Sequence, residues 1–267
     1  PIEPRADLAH AANFLYMMSG EEPDPRAAMA LEKYFVLLAD HGMNASTFSA
    51  RVTASTLGDV YSAVVTALGT LKGPLHGGAS QASMEELLEI GSVENVDAWF
   101  EEKMARTSGL GFGHRVYKAE DPRAIILRDL AHQAAQGTGN TRWFDIAQRL
   151  EQRVLAHPYF QERRIFTNVD FYTAPLLYAL GIPVDLFIPM FAVARIAGWT
   201  AHMLEQQKNN RLIRPKAYYA GPRGLAWHDI DEREPLVEAL PEVHIVAGQP
   251  AVCPAALQVP PRFWPAA

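Results

Sequence analysis

The stretch DLFIPMFAVARIAGWTAHMLEQQ, residues 185–207, decides the fold class. Its apolar side chains recur at helical rather than alternating spacing, so it predicts the longest apolar helix of the chain. One guanidinium, Arg195, sits in the middle of it. The same periodicity continues outward on the N-terminal side. Asp24-Pro25 pairs a capping residue with proline at the first helical position, and Ala28, Leu31, Tyr34, Phe35 and Leu38 follow up to Asp40. A run from Thr47 to Leu71 carries Phe48, Val52, Leu57, Val60, Tyr61, Val64 and Leu68 at helical spacing. Further helices are predicted over 84–90, 93–105, 121–136, 140–156 and 171–180, with Asp121-Pro122 opening the third of these. Period-two alternation is nearly absent outside Val243 to Val246, where a short strand is predicted. The fold class predicted is all-α.

Composition narrows the function classes. A chain of 267 residues with 49% hydrophobic and 20% charged positions can bury a core without staples. Its single Cys forms no internal disulfide and no cysteine-based zinc or iron–sulfur site, and fits a reducing, cytoplasmic compartment. No apolar run approaches the roughly 18 residues a membrane span requires, which predicts a soluble protein. The formal charge of −6 argues against nucleic acid or an anionic membrane as the main partner. Charge is uneven, however: Lys208, Arg211, Arg214, Lys216 and Arg223 follow Glu205 with no further acid up to Gly224. A local basic patch on an acidic protein suits a small anionic ligand, the alternative being a solvated basic face. From Leu225 onward seven of the 19 prolines occur, and residues 234–267 read as an extended tail. The chain opens at Pro1 without Met, so a piece of a longer chain or a processed product is expected.

Three loops place His or Asp among glycines or at helix ends: Gly73-Pro74-Leu75-His76-Gly77-Gly78, Gly109-Leu110-Gly111-Phe112-Gly113-His114-Arg115, and Thr167-Asn168-Val169-Asp170-Phe171. A fourth, Asp40-His41-Gly42-Met43-Asn44, joins two helices. Glycine lets backbone and ligand approach closely, and a helix end can fix a histidine tautomer. Any one of these alone reads as a structural turn.

Standard alternatives fall away on context. The glycines of 109–113 follow a charged helix rather than a strand, against a dinucleotide site. Ser80 lacks the strand and second glycine of a nucleophile elbow and reads as a helix cap; a serine hydrolase is the remotest alternative. The nine histidines show no paired metal spacing, and His202 reads as a packing or surface residue. The arginines point elsewhere. Arg195 in an apolar helix is costly unless paired, and carboxylates match its fork; an internal salt bridge is the structural alternative. With Arg123 and Arg214, three arginines, three loop histidines and one loop aspartate indicate a di- or tricarboxylate handled by acid–base chemistry.

The segments 40–51, 73–79, 113–123, 168–171 and 210–215, in this order and spacing, resemble the citrate synthase family, and most closely its bacterial and archaeal citrate synthase and 2-methylcitrate synthase group. GPLHGG and GFGHRVYK together carry the resemblance, which extends from about Pro1 to Arg233. It implies a coenzyme A-dependent Claisen condensation of acetyl-CoA with oxaloacetate, then hydrolysis of citryl-CoA, with propionyl-CoA as the alternative thioester. By resemblance, His76 stabilises the enol, His114 polarises the oxaloacetate carbonyl and Asp170 removes the methyl proton. His41, Arg123 and Arg195 would hold oxaloacetate, and Arg214 would serve the neighbouring subunit's site. Arg115, Lys118 and Arg163 or Arg164 would meet coenzyme A phosphates. No metal and no tightly bound cofactor are implied. The family fold divides the chain into a large domain, residues 1–77 and 181–233, and a small domain, 78–180, with the site in the cleft of a dimer.

Two departures lie near the site. Gly42 stands where many relatives have Glu, and Thr173-Ala174 replaces the commoner Ser-Gly, which leaves the choice of thioester open. The larger departure is length: the N-terminal part of the large domain has no counterpart before Pro1. This implies a missing segment, a split-chain assembly or a partner-dependent subunit.

Overall fold

The structure, a computed structural model, describes residues 2–106, 112–113, 119–219, 223–224 and 226–232. Among the described residues there are eleven α-helices and no strand, as the periodicity predicts. They are α1 (His10–Ser19), α2 (Pro25–Leu38), α3 (Ala45–Ser55), α4 (Val60–Leu71), α5 (Ala79–Ile90), α6 (Val96–Arg106), α7 (Pro122–Thr138), α8 (Arg142–Ala156), α9 (Pro158–Glu162), α10 (Val169–Ala179) and α11 (Phe187–Lys208). The strand predicted at Val243 to Val246 and the tail 234–267 lie outside the described residues.

Local chemistry sets the helix boundaries. Asp24, Asp59 and Asp121 turn their carboxylates onto backbone N–H groups at the starts of α2, α4 and α7. Pro25 and Pro122 take the first positions of α2 and α7, where a missing N–H removes no helical bond. The run predicted from Thr47 to Leu71 is in fact two helices. Leu57 adopts φ 64° and Asp59 accepts the Ser62 N–H at 3.0 Å, so the chain turns between α3 and α4 although apolar spacing continues across the break. α10 starts at Val169 because Asn168 caps it, and α5 starts at Ala79, directly after the paired glycines. Ser80 therefore lies inside the first turn of α5 and caps nothing, which corrects its reading as a cap. The helices α1 and α9 were not anticipated from periodicity.

Two helices organise the core. The residues of α10 from Val169 to Leu177, Asp170 apart, are buried side chains that pack chiefly on α7, α5 and α8. α11 packs on α2, α3 and α4 through Phe187, Met190, Phe191, Ala194, Trp199 and Met203. Each fully buried Leu or Phe contributes roughly 1.5–3 kcal/mol. The segment Val184–Lys208 is 25 residues long with a mean hydropathy of 1.4 over its most apolar window, long and apolar enough to cross a membrane by composition. This corrects the expectation that no segment reaches that length, and the contacts of α11 with α2, α3, α4 and α5 are those of a core element. The described residues up to Ile213 belong to one compact unit, and those from Arg214 to a second.

Candidate active site

A cleft of about 810 Å³ opens in the first unit, lined among others by His41, Asn44, His76, Gly113, Arg123, Asp170 and Arg195. Five of the side chains singled out in the sequence thus meet in one place: His41, His76, Arg123, Asp170 and Arg195. Ser80 is buried and does not line it. His114, Arg115 and Lys118 lie outside the described residues. Arg163 and Arg164 are exposed at the end of α9 and are not among the lining residues. Arg163 lies near Glu162 and over the Tyr159 ring. Arg214 belongs to the second unit, where its guanidinium donates to the Pro215 carbonyl at 2.7 Å.

Asp170 occupies the first turn of α10. Asn168 Oδ1 accepts the N–H groups of Asp170 and Phe171 at 3.0 and 3.1 Å, while its Nδ2 donates to the Gly113 carbonyl at 2.9 Å. The Gly113 N–H in turn donates to the Phe166 carbonyl at 2.9 Å. Asn168 therefore joins the start of α10 to the residue preceding His114. Asp170 itself is half-buried, and its Oδ1, shut off from solvent, accepts no hydrogen bond. Burial pushes its carboxyl up to about 7, against the pull of Arg123 and Arg195 and with a smaller push from Asp121. A carboxyl titrating near neutrality is matched to proton abstraction.

His76 is held from below. Its Nε2 lies 2.8 Å from Ser46 Oγ, which also accepts the Trp199 indole N–H at 3.1 Å. The single Ser46 proton has two acceptors within reach, His76 Nε2 and Asn44 Oδ1, both at 2.8 Å. When it goes to His76, the hydrogen of the neutral imidazole resides on Nδ1. Burial and the nearby Arg195 hold the imidazole below its usual range, so it stays neutral near pH 7.

The arginines differ in how they are held. Arg195, 1% exposed, donates from Nε to the Leu38 carbonyl at 2.6 Å, and its Nη1 has no hydrogen-bond partner. Burial first, then Arg123, pushes it down to about 10. No carboxylate of the described residues forms a salt bridge with it, so the internal-pair alternative does not hold, and a buried guanidinium with a spare fork calls for an anion. Arg123 is oriented by Asp121, which receives Nε and Nη2 at 3.0 and 2.7 Å while also capping α7.

Residues 1–216 match the family described as citrate synthase, C-terminal domain. The chain belongs to the citrate synthase family. It is 48% identical over 234 residues to citrate synthase 2 of Bacillus subtilis, covering 87% of this chain and 62% of that one. A 2-methylcitrate synthase of Mycobacterium tuberculosis is 44% identical over 222 residues, 83% of this chain and 55% of that protein. Among solved structures, citrate synthase of the archaeon Thermoplasma acidophilum, in ternary complex with carboxymethyl coenzyme A and oxaloacetate, superposes with a TM-score of 0.81. It is 34% identical and covers 87% of this chain and 62% of that one. The chain thus spans about three fifths of the length of these citrate synthases.

Sequence reasoning missed Asn168, which lines the cleft, and Ser46 and Trp199, which support His76 from behind it. Asn168 carried a legible signal, an amide immediately before a helix start. Ser46 and Trp199 carried none, because they reach His76 only through the packing of α3 against α11.

Proposed function

We propose that this chain catalyses the citrate synthase reaction, condensing acetyl-CoA with oxaloacetate and hydrolysing citryl-CoA to citrate and coenzyme A. The observation that carries the reading is the meeting of an ionisable half-buried acid, a neutral histidine and two arginines in one cleft. Ionised Asp170 takes a proton from the thioester methyl, a very weak acid that needs a positioned base. His76, with Ser46 donating to Nε2, donates from Nδ1 to the oxygen on which enolate charge develops. Arg195, Arg123 and His41 grip the carboxylates of the keto diacid, so that its carbonyl presents one face to the enol. His114 is assigned the polarisation of that carbonyl, and Arg115, Lys118, Arg163 and Arg164 the coenzyme A phosphates, on the family resemblance.

The thioester is a co-substrate in this reading, with no metal and no resident cofactor. Residues 78–180 act as the small domain, which closes on the large domain, 1–77 and 181–233, to exclude water until the carbon–carbon bond has formed. The enzyme is cytoplasmic. It works as a homodimer or a split-chain assembly in which Arg214 completes the neighbouring site. Support for a covering partner comes from α4, whose Val60, Tyr61, Val65 and Leu68 are exposed.

Coenzyme A release with oxaloacetate and either acetyl-CoA or propionyl-CoA tests the proposal. Turnover with acetyl-CoA is expected. The 2-methylcitrate synthase relative makes preference for propionyl-CoA the second reading, and inactivity with both thioesters defeats catalysis by this chain alone. In that case the native mass decides whether a second polypeptide is needed.

A further inference from the structure

One face of α11 grips three consecutive residues of the turn that carries His41. Arg195 Nε donates to the Leu38 carbonyl at 2.6 Å, the Gly198 N–H to the Ala39 carbonyl at 3.0 Å, and His202 Nε2 lies 3.1 Å from Asp40 Oδ1. Positions 195, 198 and 202 recur at helical spacing and so share a face. The approach is close: a Cβ added at Gly198 would stand 2.3 Å from the Ala39 oxygen and 2.9 Å from Asp40 Oδ1.

Geometry fixes the His202 tautomer. Arg51 Nη1 lies 3.2 Å from His202 Nδ1, and a guanidinium only donates, so Nδ1 carries the lone pair and Nε2 the hydrogen. Glu205 is 3.6 Å from the same Nδ1, but Arg51 stands nearer and satisfies that carboxylate as well. His202 therefore donates to Asp40. The other oxygen of Asp40 accepts the Gly42 N–H at 3.0 Å, which shapes the turn on the far side of His41, where Gly42 takes φ 56°. Burial works against the Asp40 charge, yet the Gly42 N–H and His202 hold its carboxyl below the usual range, as a fixed acceptor requires.

We infer that His202, set in its Nε2–H form by Arg51, is a positioning residue for the keto-acid site: it clamps Asp40 and so holds His41 at a fixed distance from Arg195. His202 does not line the cleft and acts through the turn. The keto-acid part of the inference rests on the citrate synthase reading; the clamp itself does not.

Amide exchange at Gly42 in the unliganded chain, with oxaloacetate titrations and steady-state kinetics, tests this on His202→Ala and His202→Gln. Glutamine offers an amide donor and a carbonyl acceptor without charge, which matches the two roles of the assigned tautomer. In His202→Ala, Gly42 exchange should quicken about tenfold and the oxaloacetate KM rise about tenfold, the loss of one charge-assisted bond, with kcat changed little. His202→Gln should restore most of both. Unchanged Gly42 exchange in His202→Ala overturns the clamp, even if the melting temperature falls. Faster exchange with unaltered oxaloacetate affinity overturns the positioning role. Failure of the unsubstituted chain to bind oxaloacetate defeats the citrate synthase reading and the keto-acid part with it, and Gly42 exchange still decides the clamp.

Discussion

Two carboxylates, buried Glu151 on α8 and half-buried Asp170 on α10, are treated in opposite ways. Glu151 accepts the Tyr172 hydroxyl at 2.7 Å, an Arg128 N–H at 2.6 Å and the Thr167 hydroxyl. Arg128 reaches on to Glu120 and lies over the Tyr172 ring. Asp170 takes no such donors at Oδ1 and faces the cleft. A buried charge is tolerated when its lone pairs are filled, and one left unfilled costs stability. Glu151 therefore belongs to the frame, and its partners Thr167 and Tyr172 flank the segment that carries the proposed base. Asp170 is left open toward the cleft, as the proposed base has to be, and the fold carries the cost.

The comparison can be broken most directly at Asp170. Asp170→Asn should lower turnover about 10³-fold by removing the base without altering shape, with oxaloacetate affinity retained. Near-normal turnover would mean that the open carboxylate is not the base. Arg195→Ala should weaken oxaloacetate binding by about 2–5 kcal/mol in calorimetry, and an unaltered affinity would remove its anion role. Glu151→Gln should cost about 2 kcal/mol of unfolding free energy, whereas Asp170→Asn should cost none. The reverse order in calorimetric melts would exchange the roles assigned to the two acids.

Two smaller effects sharpen the contrast. With Asp170 raised to about 7, the folded chain holds a proton on this group that the unfolded chain has lost above about pH 4. Its linkage makes stability fall as pH rises from about 4 to about 7 and level off above. Denaturation at several pH values should show this decline reduced in Asp170→Asn, while turnover of the unsubstituted chain climbs from the acid side through about pH 7. Last, Ser46→Ala should lower turnover by about fivefold, the value of one neutral hydrogen bond on His76. A larger loss in thermal stability than in turnover would recast Ser46 as packing.

What was legible in the sequence was local. Asp24-Pro25 and Asp121-Pro122 announced helix starts, and the glycines around His76 and the position of Asp170 beside a helix start marked the cleft. The single helix expected from Thr47 to Leu71 failed because Leu57-Gly58-Asp59 was outweighed by unbroken apolar spacing. The long-range bonds were not legible. Asn168 meets Gly113, Ser46 meets His76, and His202, read as packing or surface, meets Asp40. Each joins residues far apart in the chain, and periodicity carries no information about such pairs.

The bare Cα of Gly198 has a consequence for how this cleft could change its diet. With no room for even a methyl group against Ala39, the turn after α2 is held tight against α11, and in the proposed reaction it would gauge the diacid. Elsewhere the cleft lining is open: Leu75 is 90% exposed, and Met43 is exposed as well. Under the proposed function, selection for new thioesters would find room at such exposed lining residues sooner than at Gly198.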